Sequence, residues 1–136
     1  SVRVHRMNAI ETDGDDRLKI RACLGTIANP NPKIDYLTIL KQDLGEQLSI
    51  SLTYVPDKLL LRTNCFLTYL ESTASHLNEP FEAYAQTFLD DFNNEVVPRW
   101  VRIEITQSSG DTPGRQITVV DQQPRWQNSS LLFAHL

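Results

Sequence analysis

The sequence predicts an α+β domain in which two antiparallel hairpins flank a pair of helices. Three observations lead there. Leu48, Ile50, Leu52 and Tyr54 alternate with Ser49, Ser51 and Thr53, the period of a strand with one wet face. Apolar residues then recur near helical spacing at Leu59, Phe66, Leu70, Ala74 and Leu77, and again at Phe81, Tyr84, Ala85, Phe88 and Phe92. Alternation returns at Val101, Ile103 and Ile105, set between Trp100, Arg102, Glu104 and Thr106. With 136 residues, 40% of them hydrophobic, the chain has enough apolar surface for one packed core.

The elements follow in order. NPNPKIDYLTI, Asn29 to Ile39, is a proline-punctuated loop running into a strand expected over Tyr36 to Asp43. The short connection DLGEQ, Asp43 to Gln47, turns it into the strand that closes with YVPD, Tyr54 to Asp57, and Gly45 supplies the residue tolerant of positive φ. A first helix is expected over Lys58 to His76. Asn78-Glu79-Pro80 breaks it and opens a second, because proline in a first helical turn forfeits no hydrogen bond. That helix is expected to end near Asn93-Asn94, since Pro98 forbids its continuation. The strand from Val101 leads through the turn-rich SSGDTPG, Ser108 to Gly114, to a returning arm at Gln116 to Val120. Residues 1–25 read as an N-terminal extension whose TDGDD piece is a loop, 26–121 as the domain, and 122–136 as a tail. The tail carries Trp126 and the apolar LLFAHL, and two readings stand for it: docking on the chain's own core, or a subunit contact.

Composition excludes several classes of function. Lys and Arg number 13 against 17 Asp and Glu, a net charge of -4, with no basic cluster, so nucleic acid is not expected as a direct partner. No apolar run approaches a membrane span, and the opening SVRVHRMNAI lacks the apolar core of a signal peptide. Cys23 and Cys65 lie in no metal-like spacing, and a cytoplasmic protein with reduced thiols is expected. His5, His76 and His135 are too dispersed for a zinc site, and no glycine-rich phosphate cradle is present. Trp100 and Trp126 have the reach to flank a flat ligand, but tryptophans on strands and tails more often pack against neighbours.

The succession NPNPKIDYLTI, YVPD, a helix, PFE opening a second helix, a DDF helix end and VPRWVRIEI resembles the 7-cyano-7-deazaguanine reductases of queuosine biosynthesis. The resemblance covers roughly residues 26–110. It implies a tunnelling fold, in which units of two strands, two helices and two strands pair their sheets edge to edge into barrels and bind ligands at subunit interfaces. A homo-oligomer is the expectation that follows, and such pairing would also cover the edges of a four-stranded sheet.

Departures from that family carry as much weight as the matches. Its members place a CPxTGQPD-like loop between the first two strands, supplying the cysteine that adds to the nitrile and an aspartate that handles protons. Here DLGEQ stands in its place. A thiolate nucleophile must be partly exposed with a lowered pKa, and neither Cys23, before the first strand, nor Cys65, expected inside the first helix, occupies that loop. Asp43 beside the turn reads as a solvated strand end. The family's Glu-x-Lys-Ser motif, associated with NADPH, corresponds to Arg62, Thr63, Asn64 and Cys65, so no cofactor is expected. Tyr69 and Leu70 match the family but serve equally as core.

One position is kept. The family's second helix opens with Phe-His-Glu, whose glutamate anchors the heterocycle's N–H groups; here the residues are Pro80, Phe81 and Glu82. The histidine is lost and the glutamate retained. A carboxylate accepting two parallel hydrogen bonds suits the edge of a guanine, 7-deazaguanine or pterin ring, as it suits a guanidinium fork. A glutamate in a first helical turn is equally favoured by the helix dipole and capping geometry. The resemblance thus implies a divergent member without reductase activity, a binding or assembly unit with a purine- or pterin-like pocket at Glu82. The alternative is an NADPH-dependent reductase, or a subunit of one, whose chemistry has moved.

Overall fold

The computed structural model describes residues 19–76, 81–108, 110–111 and 114–134. Within them lie β1 (Thr26–Ala28), β2 (Thr38–Leu44), β3 (Leu48–Val55), β4 (Leu59–Leu61), a 3-10 turn (Thr63–Cys65), α1 (Phe66–His76), α2 (Phe81–Val96), β5 (Trp100–Gln107), β6 (Arg115–Gln122) and α3 (Ser129–Phe133). The fold is α+β with antiparallel sheets: one of four strands in the order β2-β3-β5-β6, and a small one pairing β1 with β4.

The alternation seen in the sequence becomes two chemically distinct sheet faces. Leu40, Leu52, Ile103 and Val119 form one cross-strand row, and Gln42, Ile50, Ile105 and Ile117 the next. These rows meet both helices in a single core. From α2 come Tyr84, Ala85, Phe88, Leu89, Phe92 and Val96, all buried, at the spacing that keeps one helical face inward. Phe88 sits edge-on to Phe66 and Tyr69, with ring centroids 5.9 and 5.5 Å away, and Phe92 meets Tyr54 at 5.0 Å. Each such ring withdrawn from water contributes roughly 1.5–3 kcal/mol. Lys41, Ser51, Glu104 and Thr118 form a row of opposite parity on the other face, as do Asp43, Ser49, Thr106 and Gln116.

The expected first helix over Lys58 to His76 is corrected at its start. Leu59–Leu61 is a strand, bracketed by Asn29 N–H donating to Lys58 O at 2.9 Å and Arg62 N–H to Gly25 O at 2.8 Å. Three consecutive leucines fit either period, and the partner strand that decides between them lies 31 to 35 residues earlier in a segment with no strand signal of its own. Cys65 accordingly lies in the 3-10 turn before α1, not inside the helix. At its other end α2 runs to Val96, past Asn93-Asn94, where Val97 takes a left-handed φ of 51° ahead of Pro98. The Asn78-Glu79-Pro80 break, TDGDD, His5, His135 and part of SSGDTPG lie outside the described residues. No described helix is long and apolar enough to cross a membrane.

Candidate functional site

Glu82 stands in the first turn of α2, its side chain 64% exposed. Its Oε1 lies 3.7 Å from Arg115 Nη1 at the start of β6, and the Arg115 guanidinium is 5.9 Å from the centre of the Phe81 ring. The carboxylate is therefore accessible and is met by a cation at a distance longer than a hydrogen bond. The helix dipole favours a negative charge here, so the position suits an anion whether or not it meets a ligand.

The connection between β2 and β3 is as short as the sequence indicates. Gly45 takes φ 70°, and β2 and β3 remain paired up to Leu44 opposite Leu48. Ser108 N–H donates to Gln47 O at 2.8 Å, tying this turn to the end of β5. Asp43 is exposed on the polar face of the sheet. A cleft of about 200 Å³ opens on that face among Lys41, Asp43, Ser49, Ser51, Glu104 and Thr106. Cys23 and Cys65 are both half-buried free thiols, one before β1 and the other beyond β4, away from this turn in the chain. Arg62 is the exposed residue preceding the 3-10 turn.

A cluster that the sequence did not single out joins four segments at the opposite end of β3. Arg99 donates to Asp35 Oδ1 at 3.0 Å, to Asp57 Oδ1 at 3.1 Å and to the Pro32 carbonyl. Asp35 Oδ2 also accepts from Trp126 Nε1 at 3.2 Å and Asn128 Nδ2 at 3.1 Å, while Asp57 Oδ2 accepts from Gln123 Nε2 at 3.1 Å. Every carboxylate oxygen here has a partner, as a structural clasp requires and a vacant binding site does not. Its aspartates and arginine occur in the conspicuous YVPD, KIDY and VPRW pieces. Only the register that sets Val55 opposite Trp100 reveals that they meet. Trp126 is committed to this clasp, and buried Trp100 carries Arg102 at 5.9 Å from its ring, so both tryptophans are engaged within the chain.

The buried phenols belong to the core. Tyr54 Oη accepts from Leu61 N–H at 3.0 Å and Tyr84 Oη donates to Leu70 O at 3.2 Å. Burial raises both pKa values above the ordinary 10.0, an effect the Leu61 N–H partly opposes at Tyr54. Among the described residues, no group of three or more His, Cys, Asp or Glu side chains is placed to hold a metal ion. No protein-family model and no curated protein matches the chain.

Proposed function

We propose that the chain is a tunnelling-fold assembly unit related to the queuosine-pathway nitrile reductases, without reductase chemistry, in which Glu82 anchors a planar purine-, 7-deazaguanine- or pterin-like heterocycle. The observation that carries this reading is the sheet. Among the described residues, two hairpins joined through two helices on one face leave β2 and β6 as edge strands of 7 and 8 residues, each with an outward row of backbone donors and acceptors that no described strand pairs. Pairing β6 of one copy with β2 of the next satisfies both rows and preserves the antiparallel sense, because the two edge strands run in opposite directions. The short Asp43–Gln47 turn supports the absence of reductase chemistry, since it holds no thiol to form the adduct with a nitrile carbon.

Two measurements test the reading. No NADPH oxidation is expected on adding 7-cyano-7-deazaguanine; nitrile-dependent turnover abolished by Cys65→Ala or Cys23→Ala would show that the chemistry had moved. In calorimetric titrations with 7-deazaguanine, guanine and pterin, Glu82→Gln should weaken binding about tenfold or more, because the amide presents a donor to the ligand's N–H. Unchanged affinity in that variant would leave Glu82 as a helix-start residue.

A further inference from the structure

Glu82 already has an occupant. The Arg115 guanidinium approaches its carboxylate at 3.7 Å and stands 5.9 Å from the Phe81 ring centre. A guanidinium is a flat group offering paired N–H donors, the same donor pattern that the amidine-like edge of a guanine or pterin offers to a carboxylate. It also stacks on aromatic faces as a planar heterocycle does. We propose that Arg115 is an internal competitor, a latch on the Glu82 carboxylate and the Phe81 ring that a planar heterocycle must displace to bind. The inference rests on the reading of Glu82 as the ligand anchor.

The geometry suits a latch and not a permanent block. Both side chains are largely exposed, 61% for Arg115 and 64% for Glu82, and their separation exceeds hydrogen-bond length. Ion pairs of this kind open at little cost because water competes for both partners. A ligand's apparent affinity is then lowered by the fraction of molecules in which the latch is closed. Salt, which screens an exposed pair, shifts that fraction towards open.

The test is a calorimetric titration of 7-deazaguanine into the unmodified protein and into Arg115→Ala, each at low and high salt. At low salt the variant is expected to bind about twofold to fivefold more tightly, the range an exposed ion pair can supply. The gap should narrow at high salt. Equal or weaker binding by Arg115→Ala would overturn the latch while the Glu82 reading survives, weaker binding placing Arg115 among the ligand's own contacts. Absence of binding by both proteins would overturn the latch and the Glu82 reading together.

Discussion

Tyr84 shows how a single buried group ties the core to pH. Its phenol is held neutral by burial, with its pKa raised above the 10.0 at which it ionises in the unfolded chain, and Tyr54 is shifted in the same direction. Above pH 10 the folded state keeps protons that the unfolded state loses. Stability from these groups is therefore complete below pH 10 and falls as pH rises through the folded values, by up to about 1.4 kcal/mol per pH unit for each. Tyr84→Phe keeps the ring and removes the titration. It should cost about 1 kcal/mol near neutrality, from the lost bond to Leu70 O, and flatten the alkaline decline. Urea unfolding of both proteins from about pH 8 to about pH 11 measures this, and identical alkaline slopes would remove Tyr84 from the account. Residues of this kind are legible in part: spacing alone places Tyr84 and Leu70 in the apolar stripes of their helices, but not the bond between them. Asp35 and Arg99 could not be paired from the sequence, because an ion pair between residues 64 apart depends on the register of strands between them.

Elements were legible where a hydrophobic period was long enough to have one interpretation. Leu48 to Tyr54 in β3 and Val101 to Thr106 in β5 alternate apolar with polar residues, and α2 repeats its stripe from Phe81 to Phe92, so all three are read with bounds close to those observed. β4 is not, since Leu59–Leu61 carries no period and takes its strand character from β1. The turn between β2 and β3 was readable for a chemical reason: it needs a residue at positive φ, and Gly45 supplies it at 70°. Adding a methyl group there meets no neighbouring atom, so any penalty of Gly45→Ala is conformational. It should destabilise the chain by about 1–2 kcal/mol while leaving the spectrum of the folded state unchanged. Thermal unfolding checks this, and an undiminished midpoint would mean that the turn relaxes into another type. The candidate site is the hardest element to read, because Glu82 at a helix start satisfies the dipole and a ligand equally well.

For the whole molecule, the two sheet edges left open among the described residues set the expectation that copies associate. Light scattering at micromolar protein should report a mass well above the 15.5 kDa of one chain, and a clean monomer would remove the edge-paired assembly. Association of this kind needs each copy to present finished edges, and here the Arg99 clasp has a role in time as well as in space. It gathers the 30–35 loop, Asp57, the start of β5 and the tail, joining Asp35 to Arg99 across 64 positions and to Asn128 across 93. The links from the tail to Asp35 span 91 and 93 positions, longer than the 45 to 59 between paired residues of β3 and β5, and are expected to form after the sheet. Interactions made that late act on the rate of opening more than on the rate of collapse, so losing the Asn128 amide should shorten the lifetime of the folded state more than it slows folding.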